Sequence, residues 1–170
     1  AASDVYKRQD VRPRLLAGQR CDVITHHTNS TAVAAACEDA KIPVISYNSA
    51  MKKAAPTMLL AGVVHFWDTY YQKRIQDVLD GTWKPEPVWG GAPEHMIDVI
   101  EVSKDADPEA VKQMRDVYAK MEKREFHPFT GPIVTNDGRE VIPAGKTATD
   151  QELLSMEWFV QGVTAKLPTA

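Results

Sequence analysis

Three observations predict an α/β fold with a mostly parallel sheet flanked by helices. Short apolar runs at 21–25, 43–47 and 58–64 each end in a polar or aromatic segment: His27-Thr28-Asn29-Ser30, then Tyr47-Asn48-Ser49-Ala50-Met51, then His65-Phe66-Trp67. The second run is continuous and rich in β-branched residues, as expected of a strand buried on both faces of a parallel sheet. Segments with helical spacing of apolar residues, 30–40 and 67–80, follow the first and third runs.

Taken in order, 21–25 reads as a first strand after the helix stop Gly18. Residues 30–40 read as a helix with Val33, Cys37 and Ala40 on one face. Strands at 43–47 and 58–64 follow, the latter after the breaker Pro56. Trp67, Tyr71, Ile75, Val78 and Leu79 mark an amphipathic helix, closed by Gly81 where a left-handed terminal residue belongs. Residues 82–93 carry three prolines and two glycines among Trp83 and Trp89, which predicts a crossing loop pinned by buried aromatics.

Further on, 96–102 reads as a strand. Asp107-Pro108 opens a helix with a side-chain cap and a proline in its first turn, turning Val111, Met114, Tyr118 and Met121 inward. The segments 129–134 and 140–142, joined through Asn136-Asp137-Gly138, predict a hairpin, because that turn tolerates positive φ. Thr149 with Glu152 forms a capping box for a short helix, and 158–160 reads as a last strand. The opening residues 1–10 show no amphipathic period and read as a non-native or scar segment, leading into a helix-like piece at 11–17.

At 170 residues, 44% hydrophobic and 25% charged, the chain has ordinary globular composition with enough apolar residues for a core. A net charge of -3 and the lack of any Lys/Arg cluster beyond short pairs argue against nucleic acid as a partner. Cys21 and Cys37 lack metal-ligand spacing and read as small buried hydrophobes, with a disulfide the alternative. The sequence contains neither an apolar run of membrane-spanning length nor the order of residues of a signal peptide.

In open α/β sheets ligands bind beyond the carboxyl ends of the strands, where loops and helix N-termini present backbone donors and side chains to one crevice. The candidate ligand-binding residues are therefore His27, Thr28, Asn29, Tyr47, Asn48, Ser49, Ala50, His65 and Trp67. His27 reads either as a wall of that crevice or as a loop-stabilising histidine, and Trp67 either as a stacking platform or as core. Asn29 and Ser30 are equally suited to capping the following helix. His26-His27 lacks a second cluster at ligand spacing, so no metal is expected. Gly90-Gly91 lacks a G-x-G-x-x-G context, so no dinucleotide cofactor is expected either. No G-x-S-x-G elbow surrounds Ser30 or Ser49, and no catalytic residue is assigned.

Several motifs occur in order along the chain: Cys21-Asp22-Val23-Ile24, His27 to Val33, the Ser49/Met51 loop, and Trp67 with Tyr70-Tyr71. They continue through Leu79-Asp80-Gly81-Thr82-Trp83, Trp89-Gly90-Gly91, His127-Pro128-Phe129-Thr130-Gly131-Pro132 and Leu153-Leu154-Ser155-Met156-Glu157-Trp158. Together, from about residue 11 to the end, they resemble the basic membrane protein family, the solute-binding subunits of ABC importers for purine nucleosides and related bases. The resemblance implies a two-lobed protein of the type I periplasmic-binding-protein fold, of which this chain is similar to the C-terminal lobe. It also implies a small purine-like ligand, an ABC permease as partner, a location outside the cytoplasm, periplasmic or membrane-anchored, and no enzymatic activity. By the same likeness, the helix within 66–81 covers the other lobe; its apolar face of Trp67, Tyr71, Ile75 and Val78, left without that lobe, is expected to make the fragment self-associate.

Family members often carry an acidic residue in the second loop, where Asn48-Ser49-Ala50-Met51 stands here, and nucleoside binders a lysine where His65 stands. An anionic and a cationic hydrogen-bond partner for ribose, each worth roughly 1.5–3 kcal/mol, are thus absent, which favours a free base or another neutral heteroaromatic. A small α/β enzyme acting on a nucleobase-like substrate and the sensor domain of a regulator are the alternatives.

Overall fold

In the computed structural model, residues 21–164 and Leu167 are described; the scar segment and the helix-like piece at 11–17 lie outside them. The chain divides into two compact units, 1–118 and 119–170.

The first unit carries a four-stranded sheet in the order β1 (Ile24–Thr25), β2 (Val44–Asn48), β3 (Leu59–His65), β4 (Ile97–Ile100). β1, β2 and β3 run parallel, and β4 pairs with β3 antiparallel, so the sheet is mostly parallel as predicted. Helix α1 (Ala32–Ala40) joins β1 to β2, and α2 (Asp68–Leu79) follows β3. Between β2 and β3 the crossover has no helix, only turns in which the N–H groups of Ala54 and Ala55 donate to the Met51 carbonyl.

The core lies where α1 meets the strands: Ile24, Val33, Ala34, Cys37, Val44, Met51, Ala55 and Leu59 form one buried cluster, with Cys21 packed against it. Both cysteines are free thiols, and burial pushes the Cys37 thiol pKa up. The buried face of α1 is Val33, Ala34 and Cys37, and Ala40 is exposed at the helix end rather than inside. Its N-cap is Thr31, not Asn29 or Ser30, although the Ser30 hydroxyl accepts from the Ala32 N–H at 3.2 Å.

Glu38 ties α1 to the entry of β3. Its carboxylate accepts from the Thr57 hydroxyl, the backbone N–H of Thr57 (3.0 Å) and of Met58 (2.9 Å), and Lys41. The Thr57 hydroxyl first, then these backbone and ammonium donors, hold its pKa down at about 2, against the desolvation that pushes it up.

Helix α2 ends as the sequence requires, with Gly81 at φ 68° and the N–H groups of Thr82 and Trp83 donating to the Asp77 carbonyl. The segment after it departs from expectation: Trp83 and Trp89 are exposed, not buried. What holds that segment is polar. Arg74 pairs with Glu86 at 3.2 Å and lies 5.6 Å from the Tyr70 ring centroid.

Helix α3 (Pro108–Glu122) is capped by Asp107, whose carboxylate accepts from the N–H of Glu109 and Ala110. Its face of Val111, Met114, Tyr118 and Met121 is only half-buried, and the Tyr118 hydroxyl donates to the Ile97 carbonyl at 2.7 Å.

In the second unit, β5 (Ile133–Val134) and β6 (Glu140–Ile142) make the hairpin, turned through Gly138 at φ 89°. β5 is shorter than 129–134, since Pro132 has no N–H to offer a ladder. Thr149 and Glu152 form the capping box of α4 (Asp150–Leu154). The segment 158–160 is not a strand; Val160 makes a single bridge to Thr135.

Candidate functional site

The parallel order of β1, β2 and β3 brings their carboxyl ends to one edge of the sheet, and rings from each line up there. His27, just beyond β1, stacks on Tyr47 of β2 with centroids 3.9 Å apart and 23° between planes. Tyr47 meets His65, the last residue of β3, edge-on at 5.3 Å, and His65 meets Trp67 edge-on at 6.1 Å. Trp67 continues the row to Tyr70 and Tyr71 on the first turn of α2, at 6.0 and 6.3 Å. Offset and edge-to-face arrangements at these separations are the favoured geometries of ring pairs.

Polar contacts fix the middle of the row. His65 Nδ1 lies 3.0 Å from Asn48 Oδ1, and its Nε2 lies 3.5 Å from the Tyr47 hydroxyl. Asn48 sits at φ 74°, a left-handed conformation that asparagine adopts more readily than most residues and that turns the chain at the end of β2. Just before it, the buried Ser46 hydroxyl donates to the Ser49 carbonyl at 3.3 Å, closing the loop on itself.

Of the nine residues predicted for the site, His27, Tyr47, Asn48, His65 and Trp67 are joined by these contacts. Thr28 is turned elsewhere: its hydroxyl lies 3.2 Å from Nδ1 of His26, a half-buried ring whose pKa is lowered chiefly by desolvation. Asn29, Ser49 and Ala50 are exposed in the adjoining loops.

Sequence reasoning about the strands missed the turn 91–96. Because β4 runs antiparallel to β3, its start lies at the same edge: His65 pairs with Ile97 and the Phe66 N–H donates to the Met96 carbonyl at 2.9 Å. Glu94 closes that turn by accepting from the Gly91 N–H at 2.8 Å. Tyr70 was visible in sequence only as part of a motif and Tyr71 only as part of the apolar face of a helix; their adjacency to Trp67 follows from helical spacing.

The second unit has its own concavity of about 660 Å³ beside Arg139, Glu157, Trp158 and Phe159, which gathers none of the nine predicted residues. Among the described residues, no group of three His, Cys, Asp or Glu could hold a metal ion, and no helix is long and apolar enough to cross a membrane.

An α/β lobe with ring-bearing strand ends is thus what sequence and geometry define. The chain is 39% identical over 166 residues, 97% of its length, to a purine-binding protein of Brucella abortus, and covers 47% of that protein. It is 24% identical over 157 residues to a Haloferax volcanii protein named as an ABC transporter glucose-binding protein, covering 37% of it. The chain therefore spans half or less of the length of the curated relatives it matches. No family model matches it. A solved structure of a transcriptional activator of the comK gene from Bacillus halodurans superposes with a TM-score of 0.61 over 68% of this chain and 41% of the other; at 16% identity it shows the fold alone. The resemblance to solute-binding proteins carried by the motifs is borne out by the two curated relatives, for a chain that spans half or less of their length.

Proposed function

We propose that this chain is the C-terminal half of a non-enzymatic solute-binding protein that delivers a purine base, or a similar planar heteroaromatic, to an ABC permease outside the cytoplasm. The observation that carries the reading is the row His27, Tyr47, His65 and Trp67 across three successive strand ends. Base–aromatic stacking is worth about 1–3 kcal/mol per base, and the row gathers aromatic rings at one edge for it. Asn29, Asn48 and Ser49 supply the polar rim, with Ala50 in the same loop as Ser49 and Thr28 turned toward His26. The name of the Brucella abortus relative supports the purine class.

In this reading a second lobe closes over the row and covers the apolar face of α2. One lobe supplies about half the contacts and none of the enclosure, so the isolated chain binds weakly. Calorimetry with adenine, guanine and hypoxanthine, with their nucleosides and with glucose as the contrast, tests both points. Millimolar binding of bases that disappears in Trp67→Ala supports the reading. Sub-micromolar affinity of the isolated chain would sink the half-site, and a preference for glucose would sink the purine class.

A further inference from the structure

The contacts around His65 bear on the polarity of the site, an inference that rests on the ligand reading above for its use but not for its geometry. Asn48 Oδ1 is a carbonyl oxygen and can only accept, so with the amide in this orientation the partner 3.0 Å away, His65 Nδ1, is the nitrogen that must carry a hydrogen. A neutral imidazole has one N–H, which leaves Nε2 with a lone pair facing the Tyr47 hydroxyl at 3.5 Å. The phenol then donates its single hydrogen inward to Nε2 and has only lone pairs left to offer outward. We propose that Asn48 is a specificity-determining positioning residue: by holding His65 as the Nδ1–H tautomer, it makes the Tyr47 oxygen an acceptor toward ligand, selecting heteroaromatics that carry an N–H or amino donor.

The opposite arrangement has the opposite result. With the Asn48 amide reversed, Nδ2 would donate to Nδ1, Nε2–H would donate to the Tyr47 oxygen, and the phenol hydrogen would face outward to select acceptors. The left-handed backbone at Asn48 provides clean variants, since Gly and Asp both tolerate it: Asn48→Gly deletes the side chain without strain, and Asn48→Asp keeps an acceptor in place.

Long-range ¹H–¹⁵N NMR on the 170-residue chain reads the His65 tautomer without any ligand. The expected result is Nδ1–H in the wild type and in Asn48→Asp, with a shift toward Nε2–H in Asn48→Gly. The same samples titrated with 9-methyladenine and 9-methylpurine, which differ by one amino donor, should show about a tenfold preference for the amino compound in the wild type, falling toward unity in Asn48→Gly. An Nε2–H ring in the wild type overturns the inference, as does a preference unchanged in Asn48→Gly. An Nδ1–H ring with neither probe bound at millimolar concentration leaves the tautomer standing and overturns instead the ligand reading.

Discussion

Helices α1 and α2 lie in one unit, both carry apolar residues at helical spacing, and they meet opposite fates. α1 buries Val33, Ala34 and Cys37 against the strands, whereas α2 buries no residue and leaves Tyr71, Ile75, Val78 and Leu79 between 57% and 75% exposed. Periodicity specifies which face of a helix is apolar; it does not supply the surface that covers it. With Trp83 and Trp89 exposed just beyond, α2 offers the larger unsatisfied patch, of the kind that marks an interaction surface.

The largest test of this contrast is a pair of truncations. Leu59→Ala, at a fully buried position beneath α1, should cost about 2–5 kcal/mol in urea unfolding, while Ile75→Ala on α2 should change stability by less than about 0.5 kcal/mol. Both are read at a concentration low enough to keep the chain monomeric, where a large loss at Ile75 would mean that its side chain is covered from within the chain. Sedimentation at micromolar concentration comes next. The isolated chain should associate through the α2 face, and Ile75→Glu with Val78→Lys should weaken that association by more than about tenfold, because burying an apolar side chain of this size contributes roughly 1.5–3 kcal/mol. A monomeric wild type that binds no hydrophobic dye would refute it.

Smaller effects probe how each helix is held. Gly81→Ala should cost about 1 kcal/mol through φ alone, because no atom lies within 4 Å of the added methyl group. Glu38→Gln tests the tether of α1 through pH. The folded pKa of Glu38, about 2, lies below its ordinary value of 4.5, so its contribution is fully present above pH 4.5 and disappears as pH falls toward 2. The variant should be less stable at neutral pH and show a shallower decline of stability across that acid window. An identical acid limb would show that Glu38 contributes nothing there.

The successive strands, the cap at Gly81 and the Thr149/Glu152 box were legible because each rests on local residue chemistry. The ring row was legible for a related reason: once β1, β2 and β3 are parallel, His27, Tyr47 and His65 must share an edge. The direction of β4 was not, since alternating side chains look the same whichever way the strand runs. Nor was the exposure of Trp83 and Trp89, because indole rings announce apolar area without naming what covers it. The His65–Asn48 contact joins two strand ends and depends on a left-handed backbone that no spacing in the sequence reveals.

The antiparallel run of β4 also changes how the chain can be rerouted. His65 and Ile97 face each other in register, so everything between them, α2 and the exposed Trp67, Trp83 and Trp89 included, is one excursion that departs from and returns to a single pair of facing residues. In topological terms it is a long hairpin loop whose removal leaves every pairing of the sheet intact. A short turn grafted across 67–95 would yield a minimal scaffold that keeps His27, Tyr47 and His65, and the same base is a natural place to insert a foreign module.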